Sequence, residues 1–75
     1  MPRYFFDLDD GDRVTRDAEG TDLANVQAAR WEALHVLGEI AKGEMRRNAD
    51  RSQQRIHIHD GDGTILLTVS LFVQD

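Results

Sequence analysis

The sequence predicts an α+β domain of ββαββ order, in which two β-hairpins form one four-stranded sheet and a single helix packs on one face. Three observations lead there. An aromatic run near the start and an aliphatic run near the end are both strand formers. Each adjoins an Asp/Gly cluster suited to a tight turn. A segment of helical period lies between them. At 75 residues the chain holds one core and one domain, residues 1–75.

The first strand runs from Arg3 to Asp9, and Asp9-Asp10-Gly11-Asp12 tolerates the backbone conformations that reverse it. The return strand, Arg13 to Arg16, is short and polar, as suits a sheet edge protected from further pairing. Asn25 caps the helix, with Asp22 as a competing cap, because a side-chain oxygen there accepts a free N–H of the first turn. From Val26, at about 100° per residue, Ala29, Arg30, Ala33, Val36, Leu37, Ile40 and Ala41 gather in one arc centred near Leu37. Gln27, Glu32, His35, Glu39, Lys42 and Arg46 fall outside it. The helix is expected to fray after Arg47, and Asn48 to Gln54, with no large apolar residue, to form a connecting loop. In the second hairpin Arg55 to His59 alternates apolar and polar, Asp60-Gly61-Asp62-Gly63 turns, and Thr64 to Val73 returns as a long strand.

The first and last strands are the most apolar, which places them at the centre. The expected order is therefore 2-1-4-3, with a parallel central pair. Alternation puts Ile65, Leu67, Val69, Leu71 and Val73 on the helix side with Ile56, Ile58, Tyr4, Phe6 and Leu8. The opposite face shows Phe5, Leu66 and Phe72 among Arg3, His57, His59, Thr68 and Ser70. One helix covers only one face of such a sheet, so Phe5, Leu66 and Phe72 form a candidate interaction surface. Trp31, at the edge of the helical arc, is either a further anchor or a ring lying over the sheet rim. A core this small gains from each large side chain it buries, by roughly 1.5–3 kcal/mol. The expected partner is a second copy of the chain, in a homodimer or other homo-oligomer.

A formal net charge of −5 repels nucleic acid and anionic membranes at long range. The local exception is a basic patch of Arg46, Arg47, Arg51 and Arg55 against the single acid Asp50. Cations at a helix C-terminus offset its dipole, and no aromatic residue is interleaved for base stacking, so nucleic acid is not an expected partner. Absence of cysteine excludes disulfides and fits a reducing compartment. With no apolar run of signal or membrane-span length, a soluble, cytoplasmic protein is expected.

His57 and His59 project from one strand face at i and i+2 and are candidate ligands for a zinc-like ion, since neutral imidazole binds such metals. Two ligands do not complete a tetrahedral site, and His35 falls on the outer side of the helix. Asp7 with His57 or His59 would make an acid–base couple if their strands are neighbours. The acidic turns lack the bidentate Glu that closes a calcium loop, so they are expected to be plain hairpin turns. Ser52 lies in a polar loop and Ser70 has no evident acid partner. No catalytic constellation or cofactor motif is recognised.

The opening Pro2-Arg3-Tyr4-Phe5-Phe6, the Asp10-Gly11 turn, and Asp17 to Thr21 are one part of a pattern running in order along the chain. Its later parts are Gln27-Ala28-Ala29-Arg30 with Glu32-Ala33, and Asp60-Gly61-Asp62-Gly63 with Leu66-Leu67-Thr68-Val69. This pattern resembles a family of short bacterial proteins classed as a domain of unknown function. The resemblance covers almost the whole chain and implies a small α+β cytoplasmic protein. It brings no activity, cofactor or catalytic residue, and neither His57 nor His59 matches a motif of that family.

Overall fold

The computed structural model describes the backbone of residues 1–47 and 53–72, and the side chains of residues 1–43 and 53–72. In chain order the elements are β1 (Arg3–Asp9), β2 (Val14–Thr15), β3 (Thr21–Asp22), α1 (Val26–Arg47), β4 (Gln53–His59) and β5 (Ile65–Phe72). The class is α+β as expected, with one helix over a sheet of five strands among the described residues.

The first hairpin turns where Asp9 to Asp12 predicts it, with Gly11 at φ 96°, a conformation that glycine enters without strain. The two-residue β3 was not expected: Thr21 and Asp22 pair with Tyr4 and Arg3, at the opposite end of β1 from β2. Asn25 caps the helix, its Oδ1 accepting the Ala28 N–H at 2.9 Å. β4 begins inside the segment expected to be a loop, since Gln53 and Gln54 pair with Phe72 and Leu71; residues 48–52 lie outside the described residues. Val73 lies outside the described residues.

Strand order corrects the sequence expectation. The sheet runs β2-β1-β4-β5, every pairing is antiparallel, and the long C-terminal strand sits at an edge. Two physical reasons put β4 at the centre. Its Ile56 and Ile58 are the largest fully buried side chains, which requires a strand on each side. Pairing with β1 also sets His57 opposite Asp7 and Arg55 opposite Asp9, whereas β5 offers those acids only Thr68 and Ser70. Counting apolar residues does not register this charge complementarity.

The core consists of Tyr4, Ala29, Ala33, Leu37, Ile56 and Ile58, flanked by half-buried Phe6, Leu8, Leu23, Val36, Leu67, Val69 and Leu71. The buried helical arc is centred near Ala33, one turn before the expected Leu37, and leaves Arg30 exposed. Ala29 and Ala33 let the helix approach β4 and β5 closely. A β-bulge at Leu66 shifts the register, so that Ile58 faces Leu67 while His59 faces Ile65. Ile65 thereby leaves the helix side expected for it and is 60% exposed.

Candidate functional site

The uncovered face of the sheet is built from cross-strand rows: Phe5, His59 and Ile65; Asp7, His57 and Thr68; Asp9, Arg55 and Ser70. Contacts on this face run diagonally between rows. His57 lies opposite Asp7, yet its Nε2 is 3.0 Å from Asp9 Oδ2, while its Nδ1 is 3.0 Å from Thr68 Oγ1. A neutral ring meets both demands by donating from Nε2 and accepting the threonine hydroxyl at Nδ1. Asp9 is held below the usual carboxylate range, first by His57 and then by the Gly11 N–H at 2.9 Å. The chain Thr68–His57–Asp9 has the order of a nucleophile, base and orienting acid. It lies on an open sheet face, and among the described residues no pair of donors converges beside Thr68 to bind an oxyanion. Its evident effect is to tie three strands together.

His59 makes the second diagonal pair. Its Nε2 is 3.3 Å from the Asp7 carboxylate, its Nδ1 is 2.9 Å from the Asp60 carbonyl, and Phe5 stacks on the ring at 5.2 Å with 7° between planes. Asp7 Oδ1 also accepts the Asp17 N–H at 3.0 Å. Asp17 in turn accepts from Phe6, Glu19 and Gly20 at 3.0–3.1 Å, so its side chain fills the gap in β1's outer ladder between β2 and β3. Burial works against its ionisation, but these three backbone donors outweigh burial and hold the carboxyl below the usual range. The sequence signal for this role is an Asp two and three residues before Glu19 and Gly20, the spacing of a side-chain turn.

The second feature is the outer edge of β5, with which no described strand pairs. Its sequence, Ile-Leu-Leu-Thr-Val-Ser-Leu-Phe, has no charge and no proline. Natural sheets commonly blunt an edge with such residues. The bulge at Leu66 distorts only its start, leaving Leu67 to Phe72 as a regular strand. The opposite edge of the sheet differs. There β1 is covered by β2 and β3, two residues each and exposed, beside the Arg3–Asp22 ion pair at 2.9 Å.

Phe5, Leu66, Phe72 and Trp31 do not form one surface. Phe5 and Phe72 lie three rows apart, which is roughly 20 Å along the strands. Phe5 is half-buried against His59, and Phe72 packs under the Arg55 guanidinium at 5.7 Å. Leu66, 44% exposed, is the bulge residue. Trp31, about 160° around the helix from Ala33, is 63% exposed on the outer surface and not laid over the sheet rim. Arg51 and the side chains of Arg46 and Arg47 lie outside the described residues, which leaves Arg55 as the described member of the basic patch. Each ring nitrogen of His57 and His59 faces a protein partner, and among the described residues no three His, Asp or Glu are grouped to hold a metal ion. Ile40 and the first hairpin bound a cleft of about 200 Å³, smaller than the ~300–1,000 Å³ of small-molecule sites.

The fold and this face define a small α+β protein with one sheet edge covered by β2 and β3 and another that no described strand covers. The chain belongs to the family described as Domain of unknown function (DUF6894), whose sequence pattern matches residues 3–72. That match bears out the resemblance drawn from the sequence. No curated protein and no solved structure matches the chain. Among the described residues no helix is long and apolar enough to cross a membrane.

Proposed function

We propose that this protein is a homo-oligomeric interaction module that pairs with a second copy through the outer edge of β5. The observation that carries the reading is the eight-residue, charge-free edge strand with which no described strand pairs on its outer side. A row of free N–H and C=O groups is complementary to another strand edge, and main-chain hydrogen bonds supply the attraction. The candidate partner always present is the same edge of another copy. Antiparallel pairing about a twofold axis makes the contact self-complementary and continues the sheet from β5 into its counterpart. The opposite edge, short and flanked by charge, does not offer the same pairing, so assembly closes at the dimer. The apolar residues singled out in the sequence keep a part in this arrangement. Leu66 and Phe72 lie on the pairing strand itself, while Phe5 stays with its own histidine.

The test is the solution mass by light scattering over a wide concentration range, for the native chain and for Ser70→Glu. Ser70 faces Arg55, so the new carboxylate is tolerated within one protomer, but it places a charge on the pairing strand of each copy, the device by which natural edge strands resist pairing. A dimer that becomes a folded monomer supports the reading. A native chain that is monomeric at every concentration refutes it.

A further inference from the structure

Both ring nitrogens of His59 face acceptors. Nδ1 is 2.9 Å from the backbone carbonyl of Asp60, and Nε2 is 3.3 Å from the Asp7 carboxylate. Neither acceptor can donate, since a carbonyl has no proton and an ionised carboxylate only accepts. A neutral imidazole carries one N–H and would leave one contact as two opposed lone pairs. We infer that His59 is an imidazolium at neutral pH, and that its charge fastens β1, the Asp17–Gly20 connection and the β4–β5 turn to one another.

The surroundings are built around that charge. Phe5 stacks on one face of the ring, and Gly20 packs against Phe5 so closely that a Cβ there would lie 2.9 Å from Phe5 Cε2. Asp7, the acceptor at Nε2, also receives the Asp17 N–H, and Asp17 anchors Phe6, Glu19 and Gly20. The charged or titratable groups facing the ring are Asp7 from β1, Asp17 from the connection, Asp60 from the turn, and His57 on its own strand. Three are acids, so the local field favours a cation. The Asp60 carbonyl, working against burial, and then Asp7 raise the ring above its ordinary value of 6.5.

The sign follows from linkage. A group whose folded pKa is raised contributes stability that is complete below the unfolded value and disappears as pH rises through the folded one. The contribution of the ring's charge is therefore complete below 6.5 and is lost as pH rises through the raised value. Charge and β5 pairing are separate, so either can hold without the other.

The experiment is long-range ¹H–¹⁵N correlation of the native chain across pH 6 to 9, together with urea unfolding over the same range. At pH 7 both His59 nitrogens should give protonated-type signals. The urea midpoint should fall as pH rises, and fall less for Asp7→Asn. A pyridine-type nitrogen on His59 at pH 7 overturns the inference. So does a midpoint that is flat from pH 6 to 9 in the native chain.

Discussion

Asp9 hydrogen-bonds to the residue diagonal to it and not to the one opposite: in register it faces Arg55, but its carboxylate lies 3.0 Å from His57 Nε2. Asp7 repeats the relationship with His59 one row away. Diagonal neighbours on an antiparallel pair are within reach of long side chains, and two such pairs brace β1 against β4 on the face the helix does not cover.

Acid should loosen this brace. Asp9, Asp10, Asp17 and Asp22 are each held below the ordinary value of 3.8 by hydrogen bonds from His57, Arg3 or backbone N–H groups. Depressed carboxylates contribute stability that is present above the unfolded pKa and is lost as pH falls through the folded one. The urea midpoint of the native chain should drop between pH 4 and pH 2. Asp9→Asn should be less stable at pH 6 and show a shallower acid decline.

Two glycine substitutions should have opposite signs. Gly20 has φ 76°, and a Cβ there would approach Arg3 Cγ to 2.8 Å and Phe5 Cε2 to 2.9 Å. Gly20→Ala should destabilise by about 1–3 kcal/mol through backbone strain and overlap. Gly38 lies inside the helix with nothing within 4 Å of an added Cβ. Gly38→Ala should stabilise by about 0.5–1 kcal/mol, as helix propensity alone dictates. Thermal melts of both variants check the pair.

Asp17 is the plug of the β1 ladder, and removing it strands three backbone donors. Asp17→Ala should cost about 2 kcal/mol, the usual penalty for leaving the part-buried N–H groups of Phe6 and Gly20 without an acceptor, while water reaches the exposed Glu19 N–H. Amide exchange at Phe6 should accelerate in that variant beyond what the lower global stability explains. An unchanged Phe6 amide would show that water replaces the carboxylate without loss.

The core should be intolerant at its centre. Ile58 is fully buried between neighbouring strands and beneath the helix. Ile58→Ala should cost about 2–5 kcal/mol, a large share of the stability of so small a domain, measured as the shift in urea midpoint.

Much of this architecture is legible in the residues. Asp9 to Asp12 and Asp60 to Gly63 mark both hairpins, Asn25 marks the helix start, and Tyr4, Phe6, Ile56 and Ile58 point inward by alternation. Strand order was not legible from hydrophobicity, because β5 keeps its apolar character at an edge while β4 is central through only two isoleucines and its charge partners. The bulge at Leu66 is likewise hidden, since one extra residue flips Ile65 to the other face without altering the alternation of Leu67, Val69 and Leu71 that follows it. The meeting of Asp7 with His59 was among the pairings the sequence allowed. That of Asp9 with His57 was not anticipated, because it depends on β1 and β4 being neighbours and on the diagonal reach between rows.

The central claim is that β5 is a pairing edge, and amide hydrogen exchange along Leu67 to Phe72 tests it most directly. Half of these amides point into the β4 ladder and half point outward. If β5 pairs with a second copy, the outward amides should exchange more slowly as protein concentration rises, and Ser70→Glu should abolish that protection. Outward amides that exchange rapidly at every concentration, even where light scattering reports a dimer, would contradict the account and place the interface elsewhere.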